Sequence, residues 1–569
     1  MKKTMAIILS ALICVSAAAC SSGGSSSSAD ESSKAEVQTT GAQETTAPEI
    51  DLSNMPEKLD LRNFNGKNYV TPVKCQLYGD CWTFAQAGAA EIAYLFANNM
   101  GVPVGEENDQ VNFSEKYISW YVYHGITKDD VMAGRARASQ VGEGFDISEA
   151  EQTNPQAVYF TGGEFTGNTT LYRLGYGPVD ESVTVKGETP YSYDDSWSGH
   201  WTLPLNSEYR RPAENVYLRC NTQLPGIAQL DIDGNYSFNE EGVTAIKQEL
   251  CQGHGVTFAL RSNHLGFNKK RKTAYDSELS AADHAVIVVG YDDAYSKDNF
   301  TNKDKDGKVI EGTTPPGDGA FIIKNSWGLL NLKDDPDDGY LYVSYYDCNL
   351  MPALSYVFDA KSDKQSMLDF DQYDMLLTQW YGSNDSDSET KIANVFDAEK
   401  DENLVQIAYT TAKPDTEVSY EVYRDVKDGD PASGTLLDKG TNTHAAKGYY
   451  RIDLSDSYAL KKGDKYSVVL TMTRKTDGGK TYTEVFPYST EFSQGLKVTA
   501  VINKGESYVY SDGKWSDMTD KTDSLKEQAQ KQIKGEFGGR QTNTPIKLDS
   551  KDTFVVDNYP IKAISVSAK

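Results

Sequence analysis

The chain has 569 residues, of which 38% are hydrophobic, and a formal net charge of −27. This length excludes a single small module and predicts roughly two to four domains, because one hydrophobic core does not grow to such a size. The charge argues against a nucleic-acid partner or non-specific binding to anionic lipid, since both would repel the protein, and it favours a soluble extracellular protein.

The first twenty residues are typical of a bacterial secretory signal. Lys2 and Lys3 precede an apolar run over residues 5–19, which is too short for a stable membrane span. The end of the run and the residue after it form Ala17-Ala-Ala-Cys20, which resembles a lipobox. Cleavage there would make Cys20 the lipidated first residue of the mature protein. Ala17 stands where Leu is usual, so ordinary secretion after cleavage at Ala19 is the alternative. We expect a lipoprotein on the extracellular face of a bacterial cell membrane, with the lipid as its only membrane contact.

Residues 21–58 contain no aromatic side chain and are dominated by Ser, Thr, Gly, Glu and Ala. Such a composition cannot bury enough apolar area to offset the entropy of ordering the chain. We interpret the segment as a disordered tether that holds the folded part of the chain away from the membrane, and a short propeptide is the alternative.

Cys81 follows a glycine-containing turn and precedes a run of helix formers from Ala85 to Leu95. This pattern predicts that Cys81 lies at the N-terminus of a helix. The helix dipole and the unpaired N–H groups of the first turn favour a thiolate and lower a pKa that is about 8.5 in a free thiol. Cys81 is therefore a candidate nucleophile.

Two predicted strands supply partners for a thiolate. His284 opens the apolar, β-branched run Val286–Tyr291, and a second apolar strand within residues 319–328 ends on Asn325. An imidazolium at the end of a strand could pair with the thiolate and later protonate a leaving amine. The Asn325 amide could hold the imidazole in one tautomer and orientation.

These three segments, in the order Cys, His, Asn, resemble the papain and cathepsin family of cysteine peptidases. The shared motifs are Val-x-Pro-Val-Lys before the nucleophile, Cys-Trp-x-Phe at it, Asp-His-Ala-Val at the base and Lys-Asn-Ser-Trp-Gly at the amide. The resemblance ends near residue 360. It implies an α+β fold in which residues 59–360 form a two-lobed papain-like catalytic domain, a helical lobe plus a β-barrel-like lobe, with no cofactor.

The family resemblance also implies roles for further residues. Gln76 would donate its side-chain N–H to the oxyanion, together with the backbone N–H of Cys81. The other residues in this set are the substrate-binding Gly162, Gly163 and Asp283 and the supporting Trp82 and Trp327, of which Trp327 would shield the Asn325 to His284 hydrogen bond from water.

The loop before Cys81 departs from the family pattern. Gln76 stands one residue closer to the nucleophile than the family's glutamine does. Either the turn is tighter and Gln76 still points inward, which we favour, or Cys75 takes the oxyanion position. Tyr78 stands where the family has a cysteine, so the family's disulfide at this point is not expected.

The remaining cysteines, Cys75, Cys220, Cys251 and Cys348, allow three disulfide pairings that the sequence does not distinguish, and free buried thiols are an equal alternative. No cysteine or histidine spacing suggests zinc. Two acidic segments, 231–235 and 302–307, begin like calcium loops but lack the glutamate at the twelfth position. We interpret both as acidic turns and predict no metal site.

Beyond residue 360 the pattern is all-β. Short alternating segments at Val418–Tyr423, Gly448–Leu454, Lys465–Met472 and Lys497–Ile502 are separated by Asp, Gly and Asn turns, which is typical of an antiparallel sandwich. The segment Gly448–Leu454 resembles the lectin-like β-domain of some bacterial members of the family.

We therefore assign residues 361–569 to a lectin-like sandwich domain that either binds cell-surface glycan or has a purely architectural role. A surface insertion near residues 519–550 would contain a short helix at Ser524–Ile533, and Ile561–Val566 would form the closing strand.

Together these features predict a monomeric cysteine peptidase that hydrolyses peptide bonds in a protein or peptide substrate through an acyl-enzyme. The resemblance implies a preference for a hydrophobic side chain two residues before the cut. One alternative is a surface adhesin or carbohydrate-binding protein with a weakly active or vestigial peptidase domain. Another is transpeptidation, because an acyl-enzyme accepts amines as well as water.

Overall fold

The computed structural model describes residues 50–568 except 143, 155–156, 161, 164–169, 193–204, 215, 231–235, 263–265, 269–270, 329–338, 361–367, 373–382, 385–389, 476–480, 485–487, 491–496, 500 and 528–553. The predicted signal peptide, Cys20 and nearly all of the tether lie outside the described residues, as does the acidic segment 231–235.

All α-helices of the described chain lie in its first part, apart from a single helical stretch at residues 522–527. They are α1 Cys81–Ala97, α2 Glu115–Val122, α3 Lys128–Met132, α4 Ser148–Glu151, α5 Ala157–Phe160, α6 Thr170–Arg173 and α7 Glu240–Cys251. Helix α1 is almost entirely buried, as its Ala-rich sequence predicts. A Cβ added at Gly88 would lie 2.2 Å from Cδ1 of Ile287, so only glycine lets α1 approach the sheet this closely.

Thirteen of the described strands precede residue 360: β1 Lys58–Asp60, β2 Lys67–Asn68, β3 Val102–Pro103, β4 Gly144–Asp146, β5 Leu218–Gln223, β6 Ala228–Leu230, β7 Tyr236–Phe238, β8 Gly255–Leu260, β9 Thr273–Ala274, β10 His284–Asp292, β11 Ala320–Lys324, β12 Tyr340–Ser344 and β13 Leu354–Phe358. The strands β8, β10 and β11 are antiparallel neighbours. Every residue of β8 and β11 is buried, as is β10 up to its last residue, which explains their continuous apolar sequence.

Later strands are β14 Leu368–Gln372, β15 Ser383–Asn384, β16 Lys391–Asp397, β17 Glu402–Thr411, β18 Thr416–Arg424, β19 Thr435–His444, β20 Lys447–Leu460, β21 Lys465–Lys475, β22 Thr481–Glu484, β23 Tyr488–Thr490, β24 Lys497–Thr499, β25 Ser507–Ser511, β26 Lys514–Asp517, β27 Phe554–Val556 and β28 Ile561–Ser567. An eight-stranded sheet holds β15, β16, β18, β19, β21, β22, β25 and β26. It packs on β17, β20 and β28 around a shared apolar core, which confirms the all-β arrangement.

One twelve-stranded sheet runs through both parts of the chain, in the order β14-β28-β17-β20-β5-β13-β8-β10-β11-β12-β9, with β1 beside β10. The two parts meet where β20 pairs with β5, from Lys447 opposite Gln223 to Tyr450 opposite Cys220. The sequence did not predict this junction. The boundary at residue 360 therefore stays a prediction, because hydrogen bonds of a single sheet cross it.

Several predicted elements differ from the observed ones in length, and one also differs in its partner strand. The segment Lys497–Ile502 is a strand as far as Thr499, and it pairs with β4 of the first part rather than within the sandwich. Residues 522–527 are helical, and the rest of the predicted Ser524–Ile533 helix lies outside the described residues. The closing strand is confirmed at Ile561–Ser567.

None of the five cysteines that the structure describes, from Cys75 to Cys348, forms a disulfide. Within the described ranges, no three His, Cys, Asp or Glu side chains are grouped as metal ligands. Over the same ranges the search finds no helix with the length and apolar character needed to cross a bilayer.

Candidate active site

Cys81 is the first residue of α1, as the sequence predicts, and its side chain lies against the end of β10. The backbone N–H of Ala285 donates to Cys81 Sγ at 3.4 Å. Sulfur at a helix N-terminus with an additional N–H donor is placed where negative charge is stabilised. The residue before it, Asp80, occupies the N-cap position but makes no side-chain capping hydrogen bond.

His284 begins β10, and Asn325 follows the last residue of the neighbouring strand β11. Adjacent strands thereby bring the two residues together, and His284 Nε2 lies 2.8 Å from Asn325 Oδ1. The backbone N–H of Ser326 also donates to Asn325 Oδ1, at 2.8 Å. An amide oxygen only accepts, so Nε2 carries the hydrogen and Nδ1 is the basic nitrogen of the neutral ring.

Trp327 stacks on the imidazole of His284, with ring centroids 4.3 Å apart and an interplanar angle of 24°. The indole therefore covers one face of the ring beside the His284–Asn325 hydrogen bond. Exclusion of water strengthens such a bond, because the local dielectric is low.

Burial determines the resting charge state of the pair. It raises the pKa of the Cys81 thiol to about 11, against the stabilising N–H of Ala285, and it lowers the pKa of His284 to about 4. Both shifts favour a neutral thiol beside a neutral imidazole. The sequence-based expectation of a lowered Cys81 pKa is therefore wrong, because burial outweighs the effect of the helix N-terminus. A neutral imidazole can accept the thiol proton, so the pair is in the correct protonation state for a proton transfer from sulfur to nitrogen.

Gln76 is buried beside the same group. Its backbone N–H donates to the Ser326 carbonyl at 2.7 Å, its Oε1 accepts from Ser326 Oγ at 2.5 Å, and its Nε2 donates to the Tyr78 carbonyl at 2.8 Å. The Gln76 amide is thus fixed between the nucleophile loop and the residue after Asn325. Cys75 is also buried, and its backbone pairs with that of Trp327.

The other predicted site residues take different places. Gly162 has φ +75°, and its carbonyl accepts from Tyr123 Oη, whereas Gly163 is exposed. Asp283 accepts from the backbone N–H of Ser262 at 2.6 Å. Trp82 is 3% exposed and packs against Tyr123, so it is a core residue below the nucleophile.

A buried ion group lies between α1, α2 and β11. Lys74 donates to Glu91 at 3.0 Å and to Glu115 at 2.7 Å, while Lys324 and Glu91 both contact Thr71 Oγ1, at 2.8 and 2.5 Å. Although burial opposes it, the charge of Glu115 and Glu91 raises the pKa of Lys74. The group joins the loop before Cys81 to the strand that ends at Asn325.

Sequence reasoning missed two neighbours of the nucleophile. The Ala285 N–H contacts Cys81 only because β10 begins beside α1, and a backbone donor has no sequence signal. Asp80 is fully buried, and neither carboxyl oxygen has a hydrogen-bond partner among the described residues. The sequence shows an acidic residue before Cys81, but an acidic residue at that position indicates only an ordinary helix N-cap.

Comparison with known families agrees with this geometry. Residues 168–358 match the papain family of cysteine proteases, and residues 371–535 match the lectin-like domain family. The first match contains His284 and Asn325, and Cys81 precedes it. No curated protein matches the chain.

Two solved structures share the fold over 90% of this chain. One is the clostridial cysteine protease Cwp84 after propeptide cleavage, with 19% identity, a TM-score of 0.57 and 99% of its chain covered. The other contains the cysteine protease and lectin-like domains of Cwp84, a surface layer associated protein of Clostridium difficile, with 18% identity, a TM-score of 0.57 and 90% of its chain covered.

The family match defines the class of residues 168–358 as a thiol peptidase domain of the papain type. The chain carries a papain-family cysteine peptidase domain followed by a lectin-like β-domain, and the protein is a cysteine-type peptidase.

Proposed function

We propose that Cys81 is the nucleophile, His284 the general base and acid, and Asn325 the residue that orients the imidazole. The observation that carries this proposal is the meeting of three elements: α1 begins at Cys81, the start of β10 lies against Cys81 Sγ, and His284 Nε2 lies 2.8 Å from Asn325 Oδ1. This is the relation of nucleophile, base and orienting group that acyl transfer requires.

In the proposed reaction, the proton of the Cys81 thiol passes to His284 Nδ1 and sulfur bonds to the carbonyl carbon of the substrate. The C–N bond then breaks, and the leaving amine takes the proton from His284. Water attacks the resulting thioester while His284 accepts a proton from it, and the free acid leaves as Cys81 recovers its proton. The acyl-enzyme is the shared intermediate of both halves.

The negative charge that develops on the carbonyl oxygen needs donors in place. We propose the backbone N–H of Cys81 and the second N–H of Gln76 Nε2. The Gln76 amide is already held by Ser326 and the Tyr78 carbonyl, so it would donate without a large loss of side-chain entropy. This arrangement favours Gln76 over Cys75, since a thiol is a weak donor.

We further propose that the enzyme acts on protein or peptide substrates at the bacterial cell surface, anchored through Cys20, with plain secretion as the alternative. The lipobox-like exit and the aromatic-free tether support this location. The surface-layer association of the structurally similar Cwp84 is consistent with it. For the β-domain, the sheet that continues from β5 into β20 favours an architectural role.

The test compares Cys81→Ala with the wild-type protein. Without the sulfur no acyl-enzyme can form, so we expect loss of peptide turnover by at least about a thousandfold and loss of covalent labelling by an epoxide thiol inhibitor. Cys220→Ala, which removes another partly exposed thiol, is the matched control and should retain both.

Turnover retained in Cys81→Ala would contradict the assignment. A wild-type protein that cleaves no peptide in a broad library would instead favour the adhesin alternative. Peptide products joined to an added amine would favour transpeptidation.

A further inference from the structure

Phe160 is 49% exposed and is the only aromatic residue among the exposed large hydrophobic side chains of the described chain. It is the last residue of α5, whose other residues Ala157, Val158 and Tyr159 are all buried. The helix therefore uses its apolar residues for the core and leaves one ring in solvent. Single exposed apolar residues are common, so exposure alone does not indicate a binding role for Phe160. Its position relative to Cys81 is the more informative observation.

The ring lies near the nucleophile. A Cβ built on Gly79 would be 3.9 Å from Phe160 Cα and 3.8 Å from the Tyr159 carbonyl oxygen, so the end of α5 passes directly over Gly79. Gly79 stands two residues before Cys81 in the same loop. Phe160 therefore lies beside the loop that carries Cys81.

The ring of Phe160 also packs against an aromatic neighbour. Tyr78 meets Phe160 edge to face, with centroids 5.2 Å apart at 83°, and stacks on the buried Tyr159 at 5.7 Å. The carbonyl of Gly162, two residues later, accepts from Tyr123 Oη. An aromatic ring held in this way can bind a second ring with little further loss of side-chain entropy.

We propose that Phe160, supported by Tyr78, is a specificity-determining residue that packs against an aromatic side chain of the substrate residue whose carbonyl Cys81 attacks. The inference rests on the proposed role of Cys81. An aromatic partner is favoured over a cationic one, because an aromatic pair adds its own attraction to the area it buries, whereas a cation over an exposed phenylalanine gains little.

The test uses full-length protein and two fluorogenic peptides that differ only in Phe or Ala at that substrate position. We expect the wild-type enzyme to favour the Phe peptide in kcat/KM, and Phe160→Ala to reduce this preference about five- to tenfold, the scale of one aromatic contact. The Ala peptide, which lacks the ring, should lose less in kcat/KM than the Phe peptide. Phe160→Tyr keeps the ring and should keep the preference. The control Leu436→Ala removes an equally exposed apolar side chain from the β-domain and should change nothing.

An unchanged preference in Phe160→Ala, or a wild-type enzyme that does not favour the Phe peptide over the Ala peptide, would overturn the inference while leaving the role of Cys81 intact. Absence of turnover would count against the proposed function instead. Binding of the same two peptides to Cys81→Ala, measured by calorimetry, then decides the inference. We expect tighter binding of the Phe peptide that is lost in the Cys81→Ala, Phe160→Ala double variant, and equal affinities would overturn it.

Discussion

Asp80 shows how strongly one buried group can couple this enzyme to pH. Its side chain is fully buried at the start of α1, and burial raises its pKa to about 8. In the unfolded chain an aspartate has a pKa near 3.9. Asp80 therefore stabilises the fold fully only below about pH 4, and this contribution is lost as the pH rises towards about 8. A charge on Asp80 would also oppose a thiolate on Cys81.

We expect Asp80→Asn to remove this pH dependence, because an amide does not ionise. The free energy of unfolding of the variant relative to wild type should rise by about 1.4 kcal/mol for each pH unit between about pH 4 and pH 8. Urea unfolding at pH 5 and pH 7 measures it, with the exposed Asp109→Asn as control. A difference between Asp80→Asn and wild type that stays constant over this range would contradict the prediction.

At the level of elements, the buried ion group ties the loop before Cys81 to α1, α2 and β11. Glu91 has a completely buried side chain and accepts from Lys74, Thr71 and the backbone N–H of Phe113. Lys324, whose pKa burial lowers to about 8, contacts the same threonine. Removal of one carboxylate from such a group leaves buried positive charge without an opposite charge beside it.

We expect Glu91→Ala to lower the free energy of unfolding by about 3–5 kcal/mol, the usual cost of breaking a buried ion pair. Glu208→Ala breaks the exposed Lys186–Glu208 pair and should cost about 1 kcal/mol or less. Chemical denaturation of both variants at one pH gives the comparison. Equal losses would show that the buried group does not stabilise this junction.

At the level of the whole molecule, the peptidase part and the β-domain share a sheet and a core. Strand β20 pairs with β5, and the apolar cluster of the first part includes Ala408, Tyr449 and Ile564 from the second. Arg137 reaches across to Glu402 at 3.2 Å. Because these contacts are extensive, we expect the two parts to unfold together.

Calorimetry should therefore show one unfolding transition for the wild-type protein. In Gly448→Ala the new Cβ would lie 2.2 Å from the backbone oxygen of Asn221, which forces β20 away from β5 and should separate the transition into two. Gly226→Ala is the matched control, because its Cβ would meet its nearest neighbours at 3.4 and 3.5 Å. Two transitions already present in the wild type would contradict a shared cooperative unit.

Local patterns predicted much of the fold. The helix that begins at Cys81, the buried strand that begins at His284 and the strand before Asn325 are all confirmed. Each depends on residues close together in the chain, such as an Ala-rich run or a β-branched run, and such periodicity is visible in the sequence. The alternating segments Val418–Tyr423, Gly448–Leu454 and Lys465–Met472 are confirmed as strands for the same reason.

The sequence by itself determined the class of this protein, its secondary-structure elements and the residue types available for chemistry, because these depend on motifs and on local periodicity. Only the tertiary structure decided that the N–H of Ala285 reaches Cys81, that the Asp80 carboxyl is buried without a partner, and that β20 extends the peptidase sheet. Those features depend on contacts between residues far apart in the chain and on the loss of water from buried groups during folding. Neither can be recognised from a short stretch of sequence.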